Sequence, residues 1–240
     1  MERSLYNSRI GRVVVFVKRF GITQVFMKPL RMVFAPLIIK LKTRRNFNFN
    51  GKVWPYFYHS YNTTWINERQ IEIPIIISYL KQTKGKVLEI GRVMPHYFNT
   101  QWDVLDKFEK GKNVINEDIA SFSPKEKYDF IFSISTFEHI GFDDGSKMPS
   151  GEKIIDSYKS VCQKCLNKKG AMIMTIPIGY NPHMDKLIAQ NKFNFNKETC
   201  LKRIKKDSWI EVSKEEALKT RYGKPFPYAN ALFVGEYRKK

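Results

Sequence analysis

Five short apolar runs, each closed by polar or acidic residues, constrain this chain more than any other feature. They are KVLEI (86–90), WDVLDKF (102–108), NVINEDI (113–119), YDFIFSIS (128–135) and AMIMTIPIG (171–179). Short, nearly continuous apolar runs are the pattern of strands buried on both faces. A segment with helical spacing, 151–166, separates the last two. Strands that alternate with helices imply a mostly parallel sheet with helices covering it. SWIEVS (208–213) and NALFVGEYR (230–238) read as two further strands. The expected fold class is therefore α/β, with a doubly wound, mostly parallel sheet.

Upstream of these runs the pattern changes. Residues 67–80, NERQIEIPIIISYL, read as a helix that Thr63 or Thr64 caps and Pro74 kinks or restarts. Residues 46–66 are dense in aromatics and asparagine, without a dominant period, and read as a lid segment. Residues 1–45 form a basic, apolar helical arm. The expected organisation is thus an arm (1–45), a lid (46–66) and an α/β domain (67–240).

The net charge of +19 is unevenly spread. Residues 1–45 hold eleven Lys and Arg against one acid, and 192–240 hold thirteen against six. The middle, 46–191, holds eighteen against sixteen. A nearly neutral centre suits a small-molecule site, and basic flanks suit an anionic surface. VVVFV (13–17) is too short for a signal h-region, and Lys18, Arg19, Lys28 and Arg31 interrupt any membrane span. Apolar clusters interleaved with cations fit a helix lying in a membrane interface, or a basic arm packed on its own domain. No nucleic-acid recognition motif accompanies the charge. The expected location is cytoplasmic, with the arm at the inner face of the membrane.

Three cysteines in a chain of this length favour a reducing compartment. Cys162 and Cys165 fall three apart on one helical face and read as buried residues rather than metal ligands. No metal is expected.

In an open parallel sheet, ligands bind beyond the carboxyl ends of the strands. The first run ends in Glu89 and Gly91, the second near Asp106, the third near Asp118, and the fourth in Phe137, Glu138 and His139. Glycine permits a tight turn close to a ligand. Asp106 follows Glu89 by seventeen residues, close to the ~20-residue offset at which an acid meets ribose hydroxyls. Asp118 is able to accept from an exocyclic amine.

Taken in order, KVLEIG, VLDKF, INEDI, YDFIFSISTFEHIGF and GAMIMTIPIG resemble a class I S-adenosylmethionine-dependent methyltransferase over roughly residues 67–180. The stretch ISTFEHI is similar to the corresponding segment of small-molecule methyltransferases. WPYFYHSYNTTWINERQIEIPI resembles methyltransferases of polysaccharide gene clusters. The resemblance implies a Rossmann-like fold and S-adenosyl-L-methionine as cofactor. It implies Glu89 and Gly91 beside the methionine part, Asp106 on the ribose, Asp118 on the adenine and Phe137 at the methyl-transfer site. His139, then Glu138 or Asp143, would be the catalytic base, and a glycan or lipid-linked sugar hydroxyl the acceptor. The family carries glycine where Val93 and Pro95 stand here. A non-catalytic scaffold of glycan assembly and an RNA methyltransferase remain the alternatives.

Overall fold

The computed structural model describes residues 17, 22–42, 45–143 and 150–240. Much of the basic arm, residues 1–16 and 18–21, therefore lies outside the described residues. Helices α1 (Ile22–Val33) and α2 (Ala35–Lys42) lead into strands β1 (Asn46–Phe49) and β2 (Lys52–Pro55). Helix α3 (Arg69–Leu80) precedes β3 (Val87–Ile90), β4 (Asp103–Leu105), β5 (Val114–Ile115) and β6 (Tyr128–Ile134). Then follow α4 (Ser150–Ser160), β7 (Leu166–Pro177), α5 (Pro182–Ala189), β8 (Lys197–Lys205), β9 (Ser208–Val212), α6 (Lys214–Leu218) and β10 (Ala231–Arg238).

Eight strands form one sheet in the order β5-β4-β3-β6-β7-β10-β8-β9. From β5 to β7 every pairing is parallel, and β10, β8 and β9 join antiparallel. The expected doubly wound, mostly parallel sheet is what the chain forms.

Side-chain alternation along the central strands builds a core on each face. From β6, Phe130, Phe132 and Ile134 point to one side with Ile173 of β7 and Leu232 and Val234 of β10. Four isoleucines of α3, Ile71, Ile73, Ile75 and Ile76, cover that face and are fully buried. Each contributes about 1.5–3 kcal/mol relative to exposure. Ile131, Met172, Met174 and Phe233 point the other way, under Ile154 and Tyr158 of α4.

Several local expectations change. α3 runs through Pro74 without interruption, and Thr63 and Thr64 lie in a 3-10 stretch, Tyr61–Ile66, before it; Asn67 Oδ1, rather than either threonine, accepts from the first helical amide, that of Arg69 (3.0 Å). Burial of the helix on the sheet outweighs the lost proline donor. Part of the 46–66 segment is a hairpin, turned at Asn50-Gly51, both with positive φ. Asn-Gly is a strong hairpin signal, and NFNF alternates with its two phenylalanines buried. The third run pairs only over Val114–Ile115, which leaves Asp118 in the following loop. β8 carries no clear apolar run, yet it sits between β10 and β9. Cys162, Cys165 and Cys200 are all buried and free.

Candidate active site

The chain builds β4 and β5 on one side of β3, then crosses to β6 on the other side. The carboxyl ends of β3 and β6 therefore flank the switch point where such sheets bind ligands. A cleft of about 380 Å³ opens there, lined by the loops after β3, β4, β5 and β6.

The loop after β3 is held on both sides. Gly91 has φ +83°, and its amide donates to the Leu105 carbonyl (2.9 Å). A Cβ at this position would stand 2.1 Å from Thr136 Oγ1. Behind the loop, buried Glu89 accepts from the amides of Val93 (2.8 Å) and Met94 (2.7 Å) and from Trp102 Nε1 (3.0 Å). Burial pushes its carboxyl up to about 7 against these hydrogen bonds. Glu89 thus shapes the loop and does not line the cleft. Val93 lines it, and Pro95 sits in a short 3-10 turn, Met94–His96.

Asp106 lines the cleft at the end of β4. Its Oδ2 accepts from the Arg92 amide (2.9 Å), and its Oδ1 from the amides of Phe108 and Glu109 (2.8 Å each). Three of a carboxylate's roughly four acceptor positions are filled, and one is left for a ligand hydroxyl. Arg92 stands beside it and pairs with Glu109 (3.0 Å). Its Nε is buried and has no hydrogen-bond partner among the described residues. Asp118 accepts from Lys107 (3.0 Å), Lys153 (2.9 Å) and the Ala120 amide (3.0 Å). Burial alone would raise its pKa, but these donors outweigh it and hold the carboxyl at about 2.

At the end of β6, Ser135 adopts φ +41° and donates to Glu72 Oε1 (2.6 Å). Thr175 of β7 donates to the same oxygen (2.7 Å), and Arg69 pairs with the other. The next turn, Phe137–His139, carries the remaining candidates. Phe137 is buried in the core, away from the cleft. Glu138 is 1% exposed, burial pushes it up to about 8, and its Oε2 has no partner among the described residues. His139 lines the cleft. Its Nδ1 lies 2.8 Å from Asp143 Oδ1, Asp143 Oδ2 accepts from the Tyr180 hydroxyl (2.7 Å), and Nε2 lies 3.8 Å from Glu138. Burial disfavours the imidazolium, but the Asp143 hydrogen bond and the Glu138 and Asp143 charges outweigh it, so the pKa of His139 lies above its ordinary value.

Gly91, Asp106, Asp118, His139 and Asp143 thus meet around one cleft, while Glu89, Phe137 and Glu138 stand behind it. Sequence reasoning missed Arg92, Glu72 and Tyr180. For Glu72 a signal existed: it is a lone acid inside the isoleucine-rich run IEIPIII.

The sheet order and the cleft at the switch point define a doubly wound, Rossmann-like α/β fold. No protein-family model matches the chain, and no curated protein matches its sequence. Among solved structures it is similar to the N-methyltransferase NodS from Bradyrhizobium japonicum WM9, in complex with S-adenosyl-L-homocysteine. That match has 12% identity over 72% of this chain and 87% of that one, with a TM-score of 0.45. TehB from Haemophilus influenzae matches at 15% identity over 75% of this chain and 65% of that one, with a TM-score of 0.41. A SAM-dependent methyltransferase from Archaeoglobus fulgidus matches at 15% identity over 69% and 91%, with a TM-score of 0.40.

Proposed function

We propose that the protein is an S-adenosyl-L-methionine-dependent methyltransferase whose acceptor is a hydroxyl of a glycan or lipid-linked saccharide. The observation that carries this reading is His139, oriented by Asp143 and Tyr180 at the edge of a cleft on the sheet's switch point.

The residues present fit the cofactor. The cleft lies within the ~300–1,000 Å³ of small-molecule sites. Ile90, Val93, Leu105, Ile119 and Ile140 give it apolar walls. The open acceptor position of Asp106 suits a ribose hydroxyl. Asp118 Oδ1 keeps an acceptor position for an exocyclic amine. When bound, the cofactor supplies an electrophilic methyl group on a sulfonium. The protein's own part is alignment and proton removal. Asp143 accepts from Nδ1–H of His139, so the neutral ring presents the Nε2 lone pair. Nε2 would take the proton of the acceptor hydroxyl as the methyl group leaves the sulfonium, whose sulfur would depart as a neutral thioether.

A cluster of rings near the loop after β3, with Tyr61 and Phe98 exposed, supports a sugar acceptor. Tyr61 stacks on His96 at 4.7 Å, and Tyr97 and Phe98 pack beside Phe57. Calorimetric titration of S-adenosyl-L-methionine tests the reading. Heat of binding is expected for the wild type and is lost on Asp118→Ala. Silence at roughly millimolar cofactor removes the enzyme reading and leaves the non-catalytic scaffold.

The arm supports attachment to a membrane surface. No helix among the described residues is long and apolar enough to cross a membrane. Leu30 and Val33 of α1, Phe34 between the helices, and Leu37 and Leu41 of α2 are exposed, interleaved with Arg31, Lys40 and Lys42. Such a face lies in the interface of an anionic bilayer. Substituting Val33, Leu37 and Leu41 by Asp is expected to cut flotation with phosphatidylglycerol vesicles about 10-fold or more. Unchanged flotation would count against the attachment.

A further inference from the structure

A second cleft lies outside the site described above. It is the larger of the two, at about 940 Å³, and opens between β8, α6 and the loop 221–230. Five cations line it, Lys202, Arg203, Lys219, Arg221 and Lys224, against the single acid Glu216. Lys202 already takes that acid at 2.9 Å. Lys219, Arg221 and Lys224 form no ion pair or side-chain hydrogen bond among the described residues, and all three are exposed.

Arg203 adds to the imbalance. It is 3% exposed, and its guanidinium donates only to carbonyls, those of Ile66 (2.9 Å), Pro227 (3.1 Å) and Lys206 (3.0 Å). It lies over the Phe226 ring at 5.1 Å. No carboxylate touches it; Glu68 and Asp207 act on it only at a distance. Buried cations are ordinarily paired. A buried guanidinium without a contacting anion, flanked by three unpaired cations, leaves the cleft strongly positive.

The wall is also built to hold its shape. Asn230 is 2% exposed and donates to the carbonyls of Phe226 (2.9 Å) and Arg221 (3.1 Å), while its Oδ1 accepts from the Phe226 amide (3.1 Å). This fixes the loop that carries Arg221 and Lys224. Ile204, Pro225 and Phe226 give the cleft an apolar side.

We propose that this cleft binds the phosphate or diphosphate group of a phosphorylated ligand. Lysines and a forked arginine are the side chains that recognise phosphate. The apolar side receives the group attached to it. Two aromatic rings stand between this cleft and the candidate active site. Tyr222 follows Arg221 and meets Tyr180 ring to edge at 5.2 Å, and Tyr180 meets His139 at 4.8 Å. The phosphate is therefore the anchor of the methyl acceptor, an extension that rests on the methyltransferase reading.

The test uses the full chain and inorganic pyrophosphate, titrated by calorimetry without cofactor. The wild type is expected to bind. Lys219→Ala, Arg221→Ala and Lys224→Ala are each expected to weaken binding about 10-fold. Lys84→Ala, an exposed lysine elsewhere, is expected to leave it unchanged. Absence of binding, or equal loss in Lys84→Ala, overturns the proposal. Competition then identifies the source. Displacement of pyrophosphate by phosphatidylcholine vesicles containing phosphatidic acid, and not by phosphatidylcholine alone, supports a lipid-borne phosphate. Displacement by neither supports a free phosphorylated molecule. Because cofactor binding is measured separately, failure of the cleft and failure of the methyltransferase reading are told apart.

Discussion

Gly91→Ala is expected to weaken S-adenosyl-L-methionine binding about 100-fold. Two costs add. The residue sits at φ +83°, where an L side chain is strained by about 1–3 kcal/mol. The new methyl also falls 2.1 Å from Thr136 Oγ1 and 2.8 Å from Thr136 Cγ2. Thr136 has little room to yield, because its hydroxyl donates to the Ile134 carbonyl at 3.0 Å. The loops after β3 and β6 must therefore separate, and both line the cleft. Each 1.4 kcal/mol lost at the ligand is a factor of ten. Gly51→Ala is the control. Gly51 has φ +71°, but nothing lies within 4 Å of its added Cβ, and it is in the β1–β2 turn. Both variants should lose some thermal stability, and only Gly91→Ala should lose cofactor affinity in calorimetry. Equal affinities for wild type and Gly91→Ala would sink the assignment of this loop to the cofactor.

The same loop shows how far sequence reasoning reached. Val93 and Pro95 stand where glycines would make a wider, amide-rich turn, and the sequence alone does not say what replaces them. The structure has a physical answer: Glu89 takes the Val93 and Met94 amides from behind and holds the turn closed. The central strands were legible because burial on both faces demands continuous apolar runs. β8 was not, because KETCLKRIK spreads its few buried residues among lysines whose stems reach solvent. The place of Asp106 at a strand end was legible from the apolar run before it, but its bonding was not. Amides of residues two and three positions further on fill one of its oxygens, a local turn geometry that residue type alone does not specify. The partnership of Ser135 with Glu72 joins residues sixty-three apart, a long-range contact that no local pattern encodes.

Removing the proposed base should have the largest effect of all. His139→Ala is expected to lower methyl transfer by about 10²–10⁴-fold, the usual worth of a positioned general base. It should leave cofactor affinity unchanged, since the imidazole serves the acceptor. Transfer of labelled methyl into the glycan fraction of a membrane extract measures the first, and calorimetry the second. Asp143→Asn separates charge from position. An asparagine can still accept from Nδ1–H through its carbonyl oxygen and donate its amide to Tyr180, so the ring stays oriented. What is lost is the carboxylate that favours the imidazolium, while the burial that disfavours it remains. The His139 pKa must therefore fall. Since only the neutral ring accepts a proton, activity rises with pH through the raised pKa in the wild type, and that rise moves to lower pH in Asp143→Asn. Proton NMR of the His139 ring reads the same shift without an acceptor. A midpoint that stays fixed on Asp143→Asn would mean that Asp143 does not govern the base, and an active His139→Ala would mean that His139 is not the base.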